Sequence, residues 1–100
     1  MKTGSFKPHP LQLTRYNATT LKIAADATGE SLTLDHASKQ LIISNNGAKT
    51  AYLTFDNAAP STDGFSILSG QTVTIDCQVE VVSAKCGGTD TTDLRILNIW

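Results

Sequence analysis

Gln71-Thr72-Val73-Thr74-Ile75-Asp76 changes from apolar to polar and back within a few residues. A period of two puts Val73 and Ile75 on one face of an extended chain and the threonines on the other, the pattern of a half-buried β-strand. Ser31-Leu32-Thr33-Leu34-Asp35 follows the same rule. Leu41-Ile42-Ile43 is a continuous apolar run, as expected of a central strand buried on both faces. Working outward in both directions, the same reading predicts strands over residues 21–25, 31–35, 39–45, 50–55, 65–68, 71–76, 79–85 and 93–99.

The joints between these runs are Thr28-Gly29, Asn46-Gly47, Ser69-Gly70 and Gly87-Gly88. Asn46-Gly47 predicts a hairpin, because a type I′ turn needs positive φ at both central residues. Residues 56–63 form the longest loop, with Pro60 inside it. No stretch of ten or more residues shows a helical apolar stripe, and residues 35–39 have room for one helical turn. Seven or eight short strands at regular spacing predict an all-β domain, a single antiparallel β-sandwich or small barrel. The expected core is Leu21, Ile23, Leu32, Leu34, Leu41, Ile43, Leu53, Phe55, Phe65, Ile67, Val73, Ile75, Val79, Val81, Leu94 and Ile96.

The 100 residues suit one folded body, 40% of them hydrophobic and 17% charged. Fourteen threonines and eight serines lean the composition towards half-exposed strands. A net charge of −1 with no basic run argues against a nucleic-acid binder held by phosphate contacts. Neither a secretory leader nor a long apolar span is visible, so synthesis in the cytoplasm and no membrane contact are expected. Residues 1–18 read as an extended arm and 19–100 as the sandwich domain. Within the arm, Pro8 and Pro10 favour extended chain and residues 11–15 have the pattern of a short strand. The arm carries Lys2, Lys7 and Arg15 with no acidic residue, so it is +3 against −4 for the rest, five Lys/Arg against nine Asp/Glu. It is suited to ordering on an acidic partner surface, with Phe6 and Leu11 as apolar anchors.

The chemistry-bearing residues are sparse. His9 lies between prolines, His36 follows Asp35 in a turn, and no nucleophile elbow accompanies them. Glu30 and Glu80 are the only glutamates. Asp56, Asp63, Asp90 and Asp93 lack the spacing of a calcium loop and read as turn caps. Cys77 and Cys86 are expected as free thiols in a reducing compartment, and with two distant histidines they do not make a zinc site. No enzyme, cofactor or metal is expected. The terminal run Leu94-Arg95-Ile96-Leu97-Asn98-Ile99-Trp100 has apolar residues on both faces, more than one core requires. Leu97 and Ile99 are therefore expected to be covered by the arm or by a neighbouring subunit, with Trp100 pinning the C-terminus against the body or a neighbour.

Three stretches together carry a resemblance: residues 39–55 with Leu41-Ile42-Ile43-Ser44-Asn45-Asn46-Gly47, then Gly64-Phe65-Ser66-Ile67-Leu68-Ser69-Gly70, then Gly87-Gly88-Thr89 followed by Leu94-Arg95-Ile96-Leu97. Over residues 20–97 the chain resembles the small β-sandwich structural proteins of tailed-bacteriophage virions. The motifs are turn glycines and core aliphatics, so they imply a fold and a location and no catalytic residues. The resemblance implies a capsid decoration (cement) protein that stabilises the shell. It would bind the major capsid protein or other virion proteins as a small homo-oligomer, a trimer favoured. A head-to-tail neck or head-fibre component, and an outward-displayed carbohydrate-binding module using Tyr52 or Trp100, are the alternatives.

Overall fold

Alternation gives each strand one apolar face, and two sheets stacked face to face bury all of those faces at once. The computed structural model describes residues 15–25 and 28–100. Within them lie β1 (Tyr16–Ile23), β2 (Glu30–Thr33), β3 (Gln40–Asn45), β4 (Ala51–Phe55), β5 (Phe65–Ile67), β6 (Thr72–Ile75), β7 (Val81–Cys86) and β8 (Thr92–Ile99). One antiparallel sheet has the order β1-β8-β3-β6, hereafter sheet A, and the other the order β2-β7-β4-β5, sheet B. These are the interleaved strand orders of a jelly roll, and the domain is a sandwich rather than a barrel. Of the seven connections, six cross from one sheet to the other, and only β4–β5 is a hairpin within a sheet.

The core lies between the sheets: Leu21 and Ile23 of β1, Leu41 and Ile43 of β3, Leu94 and Ile96 of β8 meet Leu53, Ile67, Val82, Ala84 and Cys86. Leu32, Leu34, Phe55, Val73 and Ile75 pack on this cluster but stay half-buried, at its margins. Phe65 is 53% exposed and not part of the core, because it begins a three-residue edge strand with no strand beyond it. Val81 is half-buried and Val82 takes the inward place, pairing across to Leu32 and Phe55. In β3, Leu41 and Ile43 are fully enclosed whereas Ile42, on the other face, is half-buried.

Three further expectations are corrected. The arm does not extend to residue 18: β1 begins at Tyr16 and pairs with β8 over its whole length. Residues 35–39 form a bend with no helical turn. Asn46-Gly47 is no hairpin, since β3 and β4 lie in different sheets, and Gly47 does not have a positive φ. The corner is built instead by the buried Asn45 side chain. Its Nδ2 donates to the Lys49 and Ile67 carbonyls at 2.7 and 2.9 Å, and its Oδ1 accepts from the Gly47 N–H at 3.1 Å and the Thr92 hydroxyl at 2.7 Å. Gly47 is required by close approach: a Cβ there would run into Thr92.

Candidate interaction surface

The outward faces of the two sheets are treated differently. Over sheet B, residues 56–64 fold back across the strands. The Thr54 hydroxyl, pointing outward, bonds the Ala58 and Ala59 carbonyls at 3.2 and 3.1 Å. Pro60 reaches Gly29 and Lys85, so that a Cβ on Gly29 would lie 2.8 Å from Pro60 Cβ and 2.9 Å from Lys85 Cβ. Ser83, also outward by parity, is only 2% exposed and bonds Ser31 Oγ at 2.8 Å. Asp56, at φ 56°, anchors the start of this crossing, its Oδ1 accepting from the Glu80 and Val81 amides at 2.7 and 3.1 Å. That is the turn-capping role expected of a loop aspartate, made across the chain.

No such crossing covers sheet A among the described residues. Its register places Tyr16 beside Ile99, Ala18 beside Leu97, and Leu97 beside Ile42 on the outward face. Tyr16 is 71% exposed, Ala18 is exposed, and Ile42, Leu97 and Ile99 are half-buried. Polar groups ring this patch: Arg95 and Ser44 on one side, the Gln40–Asp76 hydrogen bond of 2.7 Å on another, and the Ser44–Thr72 bond of 2.8 Å beyond. An apolar centre with a polar rim is the anatomy of a protein-binding surface.

Of the residues expected to bind a partner, Leu97 and Ile99 stand in this patch. Arg15 is exposed at its edge, its backbone exchanging bonds of 3.0 and 2.8 Å with Trp100. Trp100 turns to the end of the sandwich, stacked on His36 with ring centroids 4.3 Å apart and planes at 17°. The C-terminus is thus pinned to the chain's own body, beside the Asn98 Nδ2 bond to the His36 carbonyl at 2.9 Å. Lys2, Phe6, Lys7 and Leu11 lie outside the described residues. Tyr16, Ala18 and Ile42 complete the patch, and sequence reasoning did not assign them to it. The signal was the register itself, which brings Ile42 beside Leu97 once β3 and β8 are neighbours.

Cys86 is buried and Cys77 exposed, both as free thiols, and burial, followed by the Asp90 carboxylate, pushes the Cys86 thiol pKa up. Among the described residues no three His, Cys, Asp or Glu side chains converge as a metal site would. No protein-family model and no curated protein matches the chain.

Proposed function

We propose that the chain is a non-enzymatic structural protein of a tailed-phage virion, a capsid decoration protein that binds the outer shell as a small homo-oligomer, a trimer favoured. The observation that supports this reading best is the difference between the two faces among the described residues: a loop crosses part of sheet B, and none crosses sheet A, which has Tyr16, Ala18, Ile42, Leu97 and Ile99 at its centre. The sequence motifs that resemble those of virion sandwiches support the location. Such a protein works by repetition, since many modest contacts on a symmetric shell sum to a large stabilisation. The glycan-binding alternative loses a platform, because the Trp100 ring is stacked on His36.

The test begins with purified particles. Mass spectrometry should find the chain in them, and particles lacking it should release DNA at lower temperature than complete ones. Adding the protein back should restore the higher release temperature, and the Leu97→Ser/Ile99→Ser variant should decorate poorly while its own melting temperature changes little. Identical release curves with and without the protein would remove the cement role.

A further inference from the structure

Every open sandwich has four edge strands, and here three of them are short: β2 and β6 have four residues and β5 has three. The fourth, β1, is eight residues long. Long exposed edges are templates for another strand, and proteins that stay monomeric blunt them with proline, bulges or inward charge. β1 has none of these within its span, only Lys22 near its far end.

The hydrogen-bond pattern says which groups are open. Arg15 and Trp100 exchange both backbone bonds, at 3.0 and 2.8 Å. In an antiparallel ladder bonded and non-bonded pairs alternate, so Asn17, Thr19, Leu21 and Ile23 bond to β8. Tyr16, Ala18, Thr20 and Lys22 therefore aim their N–H and C=O groups away from the sheet. Ile99 fits the same alternation, for its carbonyl accepts the Lys39 N–H at 2.7 Å on the β3 side.

Among the described residues the sandwich is not closed beside this edge. A cleft of roughly 60 Å³ lies between β1 and β2, lined by Asn17, Thr19, Leu32, Thr33, Leu34 and Asp35. Leu32 and Leu34 are half-buried there, at the margin of the core. A strand added along β1 would complete the ladder and drop alternate side chains over these two leucines.

We infer that residues 11–14 of a second copy of this chain add to the β1 edge, with Leu11 and Leu13 over Leu32 and Leu34. The segment alternates Leu11, Gln12, Leu13, Thr14, apolar on one side and polar on the other, as the site requires. It joins β1 with no glycine, asparagine or proline between Leu11 and Arg15, so nothing there favours the tight reversal that pairing with its own β1 would need. Charge agrees. The stretch before β1 carries Lys2, Lys7 and Arg15, while the remainder has five Lys/Arg against nine Asp/Glu, with Asp35 at the cleft. The exchange is a property of the free chain and holds whether or not the protein decorates a shell.

Sedimentation and residue-resolved hydrogen exchange on the full chain test this together. The wild type should sediment as a multimer, with the Tyr16, Ala18, Thr20 and Lys22 amides protected on the order of 100-fold more than an open edge allows. Leu11→Ser/Leu13→Ser, which leaves the described body untouched, should sediment as a monomer with those four amides exchanging freely and the β3 amides still slow. Ala18→Pro should do the same, because its N–H serves no bond to β8 and proline is tolerated on such an edge. A wild type that is monomeric at every concentration overturns the exchange, as does a multimer whose four edge amides are unprotected or whose assembly survives the double leucine substitution. A monomer that still decorates shells overturns the exchange alone and leaves the shell reading standing.

Discussion

Asn45 is wholly buried, and each of its two polar atoms makes two hydrogen bonds that join β3 to the corner, to β5 and to β8. Replacing it with alanine strands the Ile67 carbonyl and the Thr92 hydroxyl in the interior, so Asn45→Ala should lower unfolding free energy by about 3 kcal/mol in urea melts. Asn45→Asp should cost at least as much, since it puts an acceptor against two carbonyls. Asn45 could have been found from the sequence: counting by two from Leu41 and Ile43 puts it on the core side, where a lone polar residue must be bonding something. The neighbouring Asn46-Gly47 pair suggested a hairpin because turn chemistry is local, whereas the choice of sheet for the next strand is made by contacts far away in the chain. Cys86 supplies a second test at this scale. Burial raises its pKa, so the folded state holds the thiol proton more tightly than the unfolded state does. Its contribution to stability is therefore full below the ordinary thiol value of 9.0 and is lost as pH rises above it. A thiol reagent at mild alkaline pH should modify Cys77 at once and Cys86 only on unfolding; equal rates would show that β7 opens in the native state.

Among the elements, the loop over sheet B depends on one glycine. Gly29 has φ 83°, and a Cβ on it would lie 2.7 Å from the Ala84 carbonyl oxygen as well as against Pro60 and Lys85. Gly29→Ala should therefore cost about 2 kcal/mol or more, through backbone strain and displacement of the loop. Limited proteolysis should show the effect as faster cleavage within residues 56–64, with the strands themselves still intact. Unchanged digestion would mean that Pro60 is not held there. Strand positions were legible in the sequence because periodicity is written residue by residue, and all eight expected strands overlap an observed one. Edge and centre were not. Phe65 has the composition of a core residue but sits on a three-residue edge, and Tyr16 looks like arm but opens an eight-residue strand. Both depend on which strands become neighbours, a fact that no single stretch contains.

For the molecule as a whole, the decisive property is asymmetry. Sheet B is partly covered by its own loop, sheet A offers an apolar centre, and β1 is a long edge with a cleft beside it among the described residues. The excess of apolar residues in the last strand already pointed to a second apolar face. That Leu97 and Ile99 should be joined there by Ile42, Ala18 and Tyr16 could only follow from the strand order β1-β8-β3.

The pairing of Arg15 with Trp100 also fixes how the domain answers a mechanical load. The two ends of the described body lie side by side, on antiparallel strands. Tension between them peels β1 from β8 one rung at a time, like a zipper, and each rung breaks at low force. Tension between residue 15 and residue 91, at the opposite end of β8, slides the two strands past each other and loads every rung together. Single-molecule pulling should give clearly lower rupture forces for tethers at 15 and 100 than for tethers at 15 and 91. The same corner is thus the weak axis of the domain, and whatever pulls residues 15 and 100 apart would open it there first.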